Sequence, residues 1–255
     1  MQARIVGVQR GARWFGEGWQ LFRGAPLGWL AMVFAYWLLM TLASLPPLVG
    51  VVIAPVLVPA FSVGFMAAAR AVGSGQRLEL ALLFEGFRAP VLRTQLVLGL
   101  AYLAGLALVL CATTLADHGA LARWMTTGQR PDEDALQSEA FFAALACAAL
   151  SYVPVMMMFW FAPPLAAWHA TGAGKALFFS FFACLMNWRA FLAYGAVTAA
   201  VTLVLPFLAL SGLMLASGGA LAVPVVSLAF PLLLVLLPTL FASFYVSYRD
   251  VFASK

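Results

Sequence analysis

A chain of 255 residues with 65% hydrophobic and only 9% charged side chains cannot cover a water-facing surface, because soluble domains carry about 25% charged residues. Composition therefore excludes a soluble globular protein and predicts a multi-pass membrane protein. The net charge of +5 is no nucleic-acid signal, since basic residues in membrane proteins collect on the cytoplasmic side.

Residues 5–23 precede any spanning run. Arg10, Arg13, Glu17 and Gln20 recur at helical spacing on one face, and Phe15, Trp19 and Phe22 share another, with Trp14 beside them. Such a helix is expected to lie in the headgroup plane. With Arg4, Arg10 and Arg13 and no apolar run before Pro26, no removable signal peptide is expected.

Gly24 and Pro26 end this helix, and residues 26–45 are the first predicted span, long enough for a core of about 30 Å. Pro46-Pro47 makes a tight outer turn. The second span runs over 48–69, through Pro55 and Pro59, to Arg70. Leu78–Phe87 reads as a second short interfacial helix, and the third span covers 91–115. Residues 116–138, with Asp132, Glu133 and Asp134, form the one sizeable hydrophilic loop, expected to be solvated and external. The fourth span, 139–161, meets Pro163-Pro164. Residues 175–187 are a third short helix, 190–215 the fifth span and 221–247 the sixth, after a turn at Ser217-Gly218-Gly219.

With both termini inside, twelve Lys and Arg residues are cytoplasmic and only Arg123 and Arg130 lie outside. This bias predicts six spans with cytoplasmic ends. Spacings repeat as well. Pro59, Pro164 and Pro238 each stand eleven residues before Arg70, Lys175 and Arg249, and Phe22-Arg23, Phe87-Arg88 and Trp188-Arg189 precede the odd-numbered spans. The expectation is a single integral-membrane domain, 1–255, of three parallel two-helix repeats, about 5–72, 78–172 and 175–255, each led by a cytoplasmic interfacial helix.

The stretch FAPPLAAWHATGAGKALFFSFFACLMNWRAFLAYG, with the aromatic N-terminal helix and the Phe-Arg-x-x-Pro entry, resembles an uncharacterised family of proteobacterial inner-membrane proteins, most specifically over Phe161–Tyr194. The resemblance implies a six-helix fold in the bacterial inner membrane and no activity.

No ionisable residue falls near mid-depth of a predicted span, which argues against proton- or ion-coupled transport. His169, beside Trp168, reads either as a titrating gate or lipid-phosphate ligand with Lys175 and Arg189, or as an interfacial histidine satisfied by water and carbonyls. Cys111, Cys147 and Cys184 lack CxxC spacing and read as packing residues. No catalytic triad, phosphate loop or metal motif appears, so no catalytic residue, metal or cofactor is expected. Gly64/Ala68, Ala101/Gly105 and Gly195/Ala199 are small-residue pairs suited to close helix approach.

The expected function is therefore non-enzymatic. The chain organises membrane, binds anionic phospholipid or supports a partner complex or homo-oligomer, with Arg10, Arg13, Arg23, Arg88, His169, Lys175 and Arg189 facing headgroups. Pro59, Pro163, Pro164 and Pro238 are the expected helix breaks. The alternative is a permease or flippase-like transporter of an apolar or amphipathic solute.

Overall fold

The computed structural model describes residues 3–46, 49–218 and 229–252, and every regular element among them is helical. Lipid offers backbone groups no partner, so runs this apolar satisfy their N–H and C=O groups within a helix. The elements in chain order are α1 (Val8–Gly24), α2 (Pro26–Ser44), α3 (Val49–Gly73), a 3-10 helix (Leu80–Phe87), α4 (Val91–Asp117), α5 (Ala120–Thr127) and α6 (Glu133–Leu136). They continue with α7 (Glu139–Trp160), α8 (Ala162–Trp168), α9 (Ala173–Met186), α10 (Trp188–Ala199), a π turn (Ala200–Val204), α11 (Leu205–Ala216) and α12 (Ala229–Phe252).

Five helical runs among the described residues are long and apolar enough to cross a membrane: Pro26–Ser44, Gly50–Gly73, Val91–Asp117, Glu139–Trp168 and Trp188–Ala216. They coincide with the first five predicted spans. The start of the sixth, like Pro47 and Gly219 of the predicted turns, lies outside the described residues, and its later part is α12.

The chain forms two compact units. One comprises Met1–Leu38, Ser62–Glu85 and Ala183–Lys255, the other Leu39–Phe61 and Gly86–Phe182. Their borders fall within α2, α3, the 3-10 helix and α9.

In the first unit α1 packs on α10 and α12. Gly11, Trp14, Phe15, Gly18 and Phe22 form its buried stripe, at the spacing of one helical face. Gly11 rests on the backbone of Ala190, and Gly18 on Thr239 and Ser243. Of the aromatic face expected among headgroups, Phe15 and Phe22 are thus covered by protein together with Trp14, while Trp19 stays exposed. Trp29 is fully buried and donates Nε1–H to the Leu21 carbonyl at 3.1 Å, fixing the corner between α1 and α2. Phe65 and Phe241 stack at 4.0 Å, and Gly64 sits against the backbone of Leu83 in the 3-10 helix.

In the second unit α4 packs on α7, with Gly105 facing Val155 and the hydroxyls of Tyr102 and Tyr152 3.0 Å apart. Gly99 lies on the Val56 backbone and Gly86 on that of Ala60. Two of the three expected small-residue pairs therefore supply a close approach, while Gly195 has open space around it.

One expectation is corrected. Pro59 and Pro238 lie inside continuous helices and break neither, because one proline removes a single ladder bond that the flanking turns bridge. Pro163-Pro164 removes two in succession, and there the helix does end, at Trp160, and restart at Ala162. The hydrophilic loop 116–138 keeps Asp132, Glu133 and Asp134 exposed, as expected of a solvated stretch, and adds helical order. It contains α5 and α6, with Leu121 buried against Phe141 and Ala144 and the α5 start capped by Asp117, which accepts from Gly119 N at 2.9 Å and Leu121 N at 2.6 Å.

Candidate functional site: the anchored short helices and their cations

Two polar clusters hold the short helices. The first ties α1 to the end of α12. Arg10 donates to Asp250 at 2.8 and 2.5 Å and to Glu17 at 2.7 Å, Arg249 donates to Glu17 at 2.6 Å, and Trp14 Nε1–H donates to Asp250 at 2.9 Å. Partial burial opposes the Arg10 charge, but its bonds to Asp250 and Glu17 outweigh that and hold its pKa above the ordinary guanidinium value. Arg10, expected to face headgroups, is therefore committed within the protein.

Beside this cluster Asn187, 2% exposed, pins the segment leading into α1. Its Oδ1 accepts from Val6 N at 2.8 Å, and its Nδ2 donates to the carbonyls of Arg4 and Ala183, each at 2.9 Å. Arg4 N in turn donates to the Val251 carbonyl at 2.9 Å.

The second cluster lies at the α7–α8 break. Phe161 N and the Met157 carbonyl are four residues apart and would bond each other in an unbroken helix. Instead the Ser180 hydroxyl of α9 stands between them, accepting from Phe161 N at 2.9 Å and donating to Met157 O at 2.7 Å. A side chain inserted into the ladder is a standard cause of a sharp bend. On the other side of the break, Gln95 of α4 donates Nε2–H to the Pro163 carbonyl at 3.0 Å. Ser180 and Gln95 are both fully buried.

The remaining predicted residues sit outside these clusters. Arg13 and Arg23 are exposed on α1, where they share a stripe with Gly16 and Gln20 opposite the buried face. Trp19, 39% exposed, lies beside that stripe. Arg88 is exposed after the 3-10 helix, Lys175 in the first turn of α9, and Arg189 near the start of α10, with its guanidinium 5.3 Å from the Trp188 ring centre. His169 is the exposed residue that follows α8, its backbone N–H bonded to Leu165 O at 3.2 Å. Burial on one side pushes its imidazole pKa below the ordinary value. Pro163 and Pro164 are buried at the start of α8. Among the described residues no group of three His, Cys, Asp or Glu side chains is placed to hold a metal ion.

Sequence reasoning missed Asn187, Ser180, Gln95 and the pairing of Glu17 with Arg249. It also missed a hydroxyl stripe on α12: Thr239, Ser243 and Ser247 are fully buried, with Ser243 bonded to Tyr194 OH at 2.6 Å. These hydroxyls also bond carbonyls of their own helix, so they leave little trace in the apolar pattern.

A probable inner membrane protein of Burkholderia thailandensis is 38% identical to this chain over 257 residues, covering 99% of this chain and 94% of that protein. The chain belongs to that protein's family. This agrees with the resemblance carried by Phe161–Tyr194 and identifies a multi-pass inner-membrane protein. No family profile and no solved structure matches the chain.

Proposed function

We propose that this inner-membrane family member is a non-enzymatic organiser of its membrane, which binds anionic phospholipid through cations displayed on rigidly held short helices. The observation that carries the reading is the two-faced use of α1. Trp14, Phe15 and Phe22 are buried and the helix is seated on α10 and α12 through Gly11 and Gly18, so the outward stripe of Arg13, Gln20 and Arg23 is presented from a fixed support rather than a floating amphipathic helix. Each such cation near an anionic surface contributes about 1 kcal/mol. On α9, Phe178, Phe179 and Phe182 are exposed beyond Lys175, the pairing of apolar body and basic edge that suits the headgroup boundary.

In this reading both termini are cytoplasmic, with twelve basic residues inside against Arg123 and Arg130 outside. Three parallel repeats fit a shared docking habit. The 3-10 helix rests on α3 through Leu83 and Gly64, α9 on the end of α7 through Ser180, and α1 on α12 through Gly18. Each short helix thus leans on a long helix in the half that precedes the basic exits Arg70, Lys175 and Arg249.

The test is native mass spectrometry of protein released gently from its own membrane. Retained phosphatidylglycerol or cardiolipin, lost from an Arg13→Gln, Arg23→Gln variant of unchanged melting temperature, supports the reading. Loss of no lipid from that variant refutes it. A co-purifying polypeptide in place of lipid gives the accessory-subunit role instead, and a retained apolar solute the transporter role.

A further inference from the structure

The positive-inside bias makes arginine on an outer loop unfavourable for insertion, yet both arginines assigned to the outer side, Arg123 and Arg130, line one cleft. Gly128, at φ +74°, ends α5 with a left-handed residue and turns the chain back. Gln129 to Asp132 then lie against the first turns of α5, leaving a cleft of about 140 Å³, open to the outside, between Ala120, Arg123, Gln129, Arg130, Pro131 and Asp132. That is well above the ~10–15 Å³ that admits one water.

The charges lining the cleft are largely uncommitted. The Arg123 guanidinium has no hydrogen-bond or ion-pair partner among the described residues. Arg130 reaches Glu133 only at 3.8 Å, with side chains 65% and 83% exposed, an arrangement of little energetic weight. The Asp132 carboxylate, at the N-cap position of α6, makes no capping bond. Two planar five-donor forks and a side-chain amide line the cleft with the Asp132 carboxylate, Glu133 standing beside Arg130, and their donors match the oxygens of a phosphate or carboxylate group.

We propose that this cleft is an oxyanion-binding site, with Arg123 and Arg130 as its ligands, Gln129 as an auxiliary donor and Asp132 as a repulsive wall that keeps affinity modest. The site stands whatever the orientation of the chain. Only the side it faces rests on the topology proposed above, and cysteine labelling at Gln137→Cys tests that separately.

The experiment is a calorimetric titration of the full chain in neutral detergent with inorganic phosphate at constant chloride. Saturable binding is expected, weakened about tenfold by Arg123→Gln or Arg130→Gln, the effect of losing one charge-assisted contact. Arg123→Lys should keep part of the affinity, and Asp132→Asn should raise it. Repeating the titration in nanodiscs distinguishes the sources. Competition by phosphatidylglycerol identifies a lipid headgroup as the occupant, and its absence a free anion. No saturable phosphate binding, or affinity indifferent to both arginine substitutions in variants with unchanged circular dichroism, overturns the proposal.

Discussion

Gly11→Ala separates tertiary packing from helix propensity by the sign of its effect. In an exposed helix, alanine in place of glycine stabilises by about 1 kcal/mol. At Gly11, however, a Cβ would overlap the Ala190 carbonyl oxygen and stand 2.6 Å from its carbon. Ordinary carbon contacts are about 3.5–4.0 Å, so α1 must retreat by about 1 Å. That retreat stretches the Trp14–Asp250 bond from 2.9 Å and loosens the Arg10 pair beside it. Overpacking costs about 1–3 kcal/mol, and a weakened hydrogen bond to a charged group about 1.5–3 more. Set against the propensity gain, a net loss of about 1.5–5 kcal/mol is expected. Gly16 lies on the same helix with nothing within 4 Å, so Gly16→Ala serves as the control and should be neutral or stabilising. Reversible unfolding in mixed micelles, followed by far-UV circular dichroism, measures both. If Gly11→Ala is as stable as Gly16→Ala, α1 is not seated on Ala190 and the anchored-helix reasoning fails.

Ser180→Ala should cost about 1–3 kcal/mol, because it orphans the buried Phe161 N–H or the Met157 carbonyl; Ser180→Thr, which keeps the hydroxyl, should lose less in the same unfolding assay. Asn187→Ala removes three hydrogen bonds to the chain around Arg4, Val6 and Ala183, so limited proteolysis should cut near residues 4–7 at least several-fold faster, with the helical content unchanged. The folded state holds the His169 imidazole below its ordinary pKa, so it resists a proton that the unfolded chain accepts. Its contribution is therefore fully present above the unfolded value of about 6.5 and is lost as pH falls below it. Melting temperature against pH should show a shallower acid decline in His169→Gln than in the parent chain, and an identical slope counts against the burial.

The long helices were legible because lipid enforces them: an apolar run of sufficient length has no other way to satisfy its backbone. The break at Pro163-Pro164 was legible for the same local reason, two adjacent missing donors. Pro59 and Pro238 show where that logic stops, since the cost of one lost bond is set against packing that no local pattern records. The face of α1 was read correctly as aromatic, but whether lipid or protein covers it depends on Ala190 and Ser243, far away in the chain. Asn187 and Ser180 were invisible because a single polar residue in an apolar helix looks the same whether it points at lipid or staples a distant backbone group. Arg10 was counted as a headgroup cation because its partner Asp250 lies 240 residues away.

The clasp between α1 and α12 also fixes an order of events. Trp14 and Asp250 are 236 residues apart, and synthesis at about 5–20 residues per second separates their appearance by roughly ten to fifty seconds. Throughout that interval the aromatic stripe of α1 has no Asp250 and no Ser243 to receive it, and must shelter at the membrane surface, where the sequence alone would have left it. The headgroup plane is then a waiting room for this helix, and α12, made long afterwards, is the helix that calls it in.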